Sequence, residues 1–261
     1  MSNVREGVVG LFGGTFDPLH IGHLRLAIEA REALGLAEVC FIPAGSPALR
    51  DVPRVPAVDR LAMVERALAA VPGFSVDASE VLESAATPGP SYTVETLERQ
   101  RRLHGPKRPL VLLLGADAFA RLDAWHRWRE LFELAHIAVA TRPGHELRDS
   151  AAAFCVASPC VTGTPLRGPS TPLYVPEGRY PSVRRKVTAL DREFTARCGD
   201  AADLSVTPAG RIVPFAITAL EISATAIRQR LALGLSARYL VPDAVLDYID
   251  SHQIYRTPHG H

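Results

Sequence analysis

Short, uniformly apolar runs recur along the chain with helix-period segments between them. Val8-Val9-Gly10-Leu11-Phe12, Val39-Cys40-Phe41-Ile42, Leu110-Val111-Leu112-Leu113-Leu114 and Ile137-Ala138-Val139-Ala140 show no alternation of apolar and polar positions. A strand with one wet face alternates, so these runs are expected to be strands covered on both faces. Between them, Leu24, Ala27, Ile28 and Leu34 mark a helix over residues 23–34, and Leu61, Val64, Leu68 and Val71 mark another over 56–71. Residues 93–103 read as helix and 74–76 as a weaker strand. The alternation predicts an α/β fold with a doubly wound parallel sheet. Ligands of such sheets sit at the carboxyl ends of the strands, here the segments after Phe12, Ile42, Leu114 and Ala140.

The pattern breaks over residues 145–181. Prolines at 159, 165, 169, 172, 176 and 181 and the absence of helical periodicity make this an insertion or long loop. Residues 184–197 return to helical character. Residues 211–215 read as a last strand, with Pro214 favouring a sheet edge. Two helices, over about 224–233 and 243–251, form a small C-terminal helical part. The 261 residues are expected to form a single domain carrying the Pro-rich insertion.

Charge narrows the function. Lys+Arg number 29 and Asp+Glu 28, for a net charge of +1. That leaves no basic surplus for a dedicated nucleic-acid binder. No apolar run approaches the roughly 20 residues of a membrane-spanning helix. The N-terminus has no hydrophobic core of a secretory signal. The cysteines at 40, 155, 160 and 198 form no C-x-x-C pair, so neither zinc nor a disulfide framework is expected. The chain reads as cytoplasmic.

The first strand runs into Gly13-Gly14-Thr15-Phe16-Asp17-Pro18-Leu19-His20-Ile21-Gly22-His23. Adjacent glycines let a ligand approach the backbone. His20 and His23, three residues apart at a helix mouth, share one face. Two imidazoles beside free helix N–H groups suit a polyphosphate. Neither G-x-x-x-x-G-K-[ST] nor a G-x-G-x-x-G after the first strand is present. Far downstream, Ile222-Ser223-Ala224-Thr225-Ala226-Ile227-Arg228 places an N-cap serine, a first-turn hydroxyl and a guanidinium one turn later. By itself this segment reads as an ordinary capped helix with Arg228 exposed. Thr93 opens another helix, whose first-turn N–H groups suit a carboxylate. Glu95, in the same turn, is expected to face solvent.

Together, the Gly13–Asp17 turn with His20-Ile21-Gly22-His23 and the Ile222–Thr225 segment with Arg228 resemble the paired signatures of HxGH-class nucleotidyltransferases. Within that class the chain is most similar to the bacterial nicotinate-nucleotide adenylyltransferases. Pro90-Ser91-Tyr92-Thr93 with Thr96-Leu97, Gly115-Ala116-Asp117, Trp125 and Arg142-Pro143-Gly144 carry the narrower likeness. It spans about residues 7–144 and 183–256. The resemblance implies a Rossmann-like fold and transfer of the adenylyl group of ATP to nicotinate mononucleotide. The products are nicotinate adenine dinucleotide and pyrophosphate, in NAD biosynthesis, with Mg²⁺ arriving on the ATP.

Carried over by position, His20, His23 and Arg228 resemble the catalytic set. His20 and His23 would contact the ATP phosphates, with His23 at the α-phosphate. Ile222, Ser223, Thr225 and Arg228 would form the clamp on the β- and γ-phosphates. Gly13, Gly14, Thr15 and Phe16 would lie along the phosphates, Thr15 and Phe16 also along the mononucleotide. Asp117 would hold a ribose hydroxyl; as an alternative it would serve as a helix N-cap. Trp125 would stack on the pyridine ring, leaving Trp128 to the core. Tyr92 and Thr93 would meet the nicotinate carboxylate, and Arg50 and Arg142 are further substrate-binding candidates. No protein metal site is implied. The family's Pro-Pro-His-Lys-like element is here Pro47-Ala48-Leu49-Arg50, with a planar guanidinium in place of a point charge. Rival readings are another member of the class with a different phosphate acceptor, or a non-catalytic nucleotide sensor on the same fold. A class I aminoacyl-tRNA synthetase-like fragment is disfavoured, because no Lys-Met-Ser-Lys-Ser element occurs.

Overall fold

The computed structural model describes residues 7–48, 52–87, 89–141 and 187–256. In chain order these form β1 (Val9–Gly14), α1 (Ile21–Ala33), β2 (Glu38–Pro43), α2 (Ala57–Leu68), β3 (Phe74–Val76), α3 (Ser79–Ala86), α4 (Thr93–His104), β4 (Leu110–Gly115), α5 (Ala116–Phe119), α6 (Leu131–Leu134), β5 (His136–Thr141), α7 (Ala189–Arg197), β6 (Ile212–Ala216), α8 (Ala224–Ala232) and α9 (Asp243–Ser251). The insertion at 145–181 lies outside the described residues.

The strands make one sheet, in the order β3-β2-β1-β4-β5-β6, and every pairing is parallel. This is the expected Rossmann-like doubly wound arrangement. The apolar runs explain it locally, because successive side chains of a strand point to opposite faces. Leu110, Leu112 and Leu114 of β4 enter one core cluster with Val94, Leu97 and Phe132. Val111 and Leu113 enter another with Ala27 and Ala30 of α1 and Leu34 just after it. Both faces are dry, so no polar alternation is tolerated. β6 takes the sheet edge that Pro214 favours, where the missing N–H leaves no ladder bond unmade.

Several helix bounds differ from the expectation. α1 begins at Ile21 rather than His23, α2 ends at Leu68 rather than 71, and α7 begins at Ala189 rather than 184. α3 was not expected at all. It buries only Glu80 and Val81, so its apolar stripe is too thin to register as a period.

A third cluster sits beside the sheet. Met63 of α2 packs with Ile227 and Leu231 of α8, Val245, Leu246 and Ile249 of α9, and Ile254. The Tyr248 hydroxyl adds a 2.8 Å hydrogen bond to Asp59 of α2. This docking carries the C-terminal helices to the carboxyl end of β1. The strand order reverses between β1 and β4, and that crevice is where an open α/β sheet binds ligands.

Candidate active site

The β1–α1 turn is shaped by close packing. A Cβ on Gly14 would lie 2.8 Å from two ring atoms of Phe16, so only glycine lets that ring fold back. Phe16 takes a left-handed φ of 50°, is buried, and meets Phe12 edge-on at 5.6 Å. Gly13 has open space where a side chain would be. The Asp17–Pro18 peptide is cis.

His20 is the N-cap of α1, and His23 sits three residues in. Their rings stack with centroids 3.7 Å apart and planes 21° apart, so the spacing does place both on one face. The His20 N–H donates to His23 Nδ1 at 3.2 Å. With Nδ1 accepting, the ring proton of His23 lies on Nε2. Phe16 fixes the ring plane from the side, at 5.1 Å and 86°. His20 is 7 % exposed, and burial pulls its imidazole from 6.5 down to about 4. It is therefore uncharged at neutral pH. Its Nδ1 is buried without a hydrogen-bond partner. Gly22 packs closely beside it: a Cβ there would lie 3.1 Å from that nitrogen.

The helix mouth is less open than its sequence suggests. The Ile21 N–H donates to the Leu240 carbonyl at 2.9 Å, and the His23 N–H to the His20 carbonyl at 2.9 Å.

The two distant signatures meet at Asp17. Arg228 of α8 donates through Nη1 to the Asp17 main-chain carbonyl at 2.7 Å, and through Nη2 to Thr225 Oγ1 at 3.2 Å. The same Nη1 lies 3.8 Å from the Asp17 carboxylate. Arg228 is thus half-buried against the β1–α1 turn rather than exposed, because tertiary docking of α8 supplies its acceptors. Ser223 caps α8 by accepting from the Ala226 N–H at 3.2 Å, and Ile222 packs into the third cluster. The linker before α8 crosses α1, where Thr218 donates its N–H and hydroxyl to Glu29, each at 2.6 Å.

Three residues that sequence reasoning did not single out hold this turn. Arg60 of α2, 1 % exposed, donates to the Thr15 carbonyl at 2.7 Å and the Gly45 carbonyl at 2.9 Å. It joins the loops that leave β1 and β2. Buried Asp17 accepts from the Arg54 N–H at 2.8 Å and from the Tyr255 hydroxyl at 2.6 Å. Burial and the Asp17 charge push the Tyr255 phenol well above its ordinary value, so it stays protonated and donates. The only sequence signal for Arg60 is a charged residue on the apolar stripe of α2. Tyr255 gave none.

The Ser91–Thr93 segment lies against the loop after β2. The Ser91 N–H donates to the Ser46 carbonyl at 2.8 Å, and the Ser46 N–H to Ser91 Oγ at 3.2 Å, which brings Ser91-Tyr92-Thr93 to the sheet's carboxyl edge. Tyr92 is the N-cap of α4 and makes no side-chain cap, so the first-turn N–H groups have no side-chain acceptor there. Glu95 is exposed, as expected. Trp125 packs against the first cluster while Trp128 is buried in it. His126, missed by the sequence reading, lies 4.5 Å from the Tyr92 ring. A cavity of about 350 Å³ beside Ser91 and Tyr92 is lined by Glu80, Glu83 and Glu95 together with Arg99, which pairs with Glu83. Asp117 is exposed one residue into α5, and Gly115 is the N-cap, so the capping alternative for Asp117 is overturned. Arg50 and Arg142 lie outside the described residues.

Among the described residues no three His, Cys, Asp or Glu side chains gather to hold a metal ion, and no helix is long and apolar enough to cross a membrane. Both Asp17 carboxylate oxygens are engaged by protein donors.

The cytidylyltransferase-like family model matches residues 11–230. A protein of Dechloromonas aromatica (strain RCB) is 50 % identical over 95 % of this chain and 97 % of its own length. One of Pseudomonas paraeruginosa (strain DSM 24068 / PA7) is 41 % identical over 96 % and 98 %. Both are named "Probable nicotinate-nucleotide adenylyltransferase". The structure of Plasmodium falciparum nicotinic acid mononucleotide adenylyltransferase complexed with NaAD shares the fold, at a TM-score of 0.58 and 15 % identity over 96 % of this chain and 98 % of that one. The chain belongs to the cytidylyltransferase-like family, among the nicotinate-nucleotide adenylyltransferases.

Proposed function

We propose that this protein transfers the adenylyl group of ATP to nicotinate mononucleotide. The observation that supports the reading is the 2.7 Å bond from Arg228 to the Asp17 carbonyl, which ties the guanidinium of the second signature to the turn that leads into the histidine pair of the first. Two donors of different reach then face one crevice at the sheet's switch point. That suits a triphosphate, whose α-phosphorus and leaving pyrophosphate need stabilising at two places.

In the proposed reaction an oxygen of the mononucleotide 5′-phosphate attacks the α-phosphorus. The bond to the bridging oxygen of the β-phosphate breaks, and pyrophosphate leaves. The nucleophile is already an anion, so no side chain needs to take its proton. Catalysis then rests on alignment and on stabilising charge. His23 Nε2–H donates to an α-phosphate oxygen, and neutral His20 hydrogen-bonds beside it. Arg228, Thr225 and the first turn of α8 hold the β- and γ-phosphates. The Gly13–Phe16 backbone lies along the chain of phosphates, with no Cβ at Gly13 to obstruct it. Asp117 takes a ribose hydroxyl. Trp125 stacks on the pyridine ring, and the uncapped first turn of α4 at Tyr92 and Thr93 receives the nicotinate carboxylate.

Mg²⁺ would arrive with ATP and, when bound, would offset phosphate charge; the Asp17 carboxylate is already engaged by protein donors. The chain is proposed to work in the cytoplasm, as one nucleotidyltransferase domain and without nucleic-acid partners. Incubation with ATP, Mg²⁺ and a panel of phosphate acceptors tests the reading. Nicotinate mononucleotide is expected to be the best acceptor, and preference for an unrelated phosphate would overturn it.

A further inference from the structure

The phosphate turn, α8 and the C-terminal segment converge at Asp17. Its carboxylate is buried and accepts from the Tyr255 hydroxyl at 2.6 Å and from the Arg54 N–H at 2.8 Å. Its carbonyl accepts from Arg228 Nη1 at 2.7 Å. With both carboxylate oxygens engaged, the Asp17 side chain ties the turn to the C-terminal segment, and the main chain of that turn carries the carbonyl on which the guanidinium rests, its other arm lying on Thr225. Tyr255 itself is held: Ile254 before it is buried in the cluster of α2, α8 and α9, and Tyr255 packs against that cluster. Its left-handed φ of 62° turns the phenol back toward the β1–α1 turn.

We propose that Tyr255 is a positioning residue for adenylyl transfer: its hydroxyl locks the Asp17 carboxylate, and the Asp17 carbonyl thereby holds Arg228 at the polyphosphate. The inference rests on the reading that Arg228 meets the phosphates of ATP. Tyr255 touches no substrate. It acts through Asp17, so its loss leaves the acceptor site alone and misaligns the group that follows the leaving pyrophosphate. A small displacement of a positioned donor is costly to the rate.

The pair Tyr248–Asp59 supplies a matched control. It is another tyrosine-to-aspartate bond, at 2.8 Å, on the same C-terminal part, and it does not reach Asp17. Tyr255→Phe is expected to lower kcat/KM for ATP about tenfold, the size of one coupling of moderate strength. The KM for nicotinate mononucleotide should stay within about twofold of wild type. Tyr248→Phe is expected to lower the melting temperature comparably and leave both constants unchanged. In an Arg228→Lys background, which alters the guanidinium being aimed, Tyr255→Phe should cost much less than in wild type. A Tyr255→Phe enzyme with wild-type kinetics overturns the proposal, as does a loss that is fully additive with Arg228→Lys. Equal kinetic losses in Tyr255→Phe and Tyr248→Phe would reduce Tyr255 to a stability role and also overturn it. Wild-type protein that makes no dinucleotide at all would strike the parent reading instead.

Discussion

His20 titrates where its burial can be read as stability. In the unfolded chain its ring is expected to titrate near 6.5; in the folded chain burial pulls it to about 4. Between those values the native state binds fewer protons than the unfolded state, so stability rises with pH across the window. The full contribution is present above pH 6.5 and is lost as pH falls through 4. At about 1.4 kcal/mol per pH unit the window is worth about 3 kcal/mol. Other groups titrate in the same range, so the quantity to measure is a difference. His20→Asn removes the titrating ring and keeps a polar head. Urea unfolding of both proteins from pH 4 to 7 should show wild type gaining about 3 kcal/mol on the variant as pH rises. Ring NMR of the unliganded protein should place the His20 midpoint near 4. A gap that does not move with pH, or a midpoint near 6.5, would refute the reasoning. The functional corollary is that kcat/KM for ATP, which reports the free enzyme, carries no His20 inflection between pH 5 and 8.

Other outcomes follow from the same geometry. His23→Ala should lower kcat by about 10²-fold or more, the loss of one transition-state donor, with a smaller effect on ATP binding, both read by steady-state pyrophosphate release. Arg60→Met should cost about 1–3 kcal/mol in urea unfolding, because the half-buried Thr15 and Gly45 carbonyls lose their donor. Nicotinate mononucleotide should be preferred over its amide by at least about 10²-fold in kcat/KM, because an amide turns a donor toward the N–H groups of the α4 first turn. Equal values for acid and amide would remove that pocket from the acceptor site.

The sheet was legible because each strand is apolar on both faces, as the split of Leu110, Leu112 and Leu114 from Val111 and Leu113 into opposite clusters makes plain. The face shared by His20 and His23 was legible for a similar reason: i, i+3 spacing fixes which side chains meet. What escaped was tertiary. Arg228 reads as a solvated helix residue until α8 docks on the third cluster and the Asp17 carbonyl meets it. Arg60 is a single charge on an apolar stripe, and Tyr255 lies 238 positions from its acceptor. No local period encodes such pairs. The availability of the α1 N–H groups was overstated because the acceptor for Ile21, the Leu240 carbonyl, comes from the far end of the chain. α3 went unseen because Glu80 interrupts its buried side, its carboxyl taken by the Thr96 hydroxyl at 2.5 Å.

The proposed chemistry breaks one bond of ATP, between the α-phosphorus and the bridging oxygen of the β-phosphate. Purified protein with Mg²⁺, nicotinate mononucleotide and ATP labelled at the α-phosphate should move the label into nicotinate adenine dinucleotide, with one unlabelled pyrophosphate released per dinucleotide. Label recovered only in ATP, or released as free AMP with no dinucleotide formed, would contradict the account.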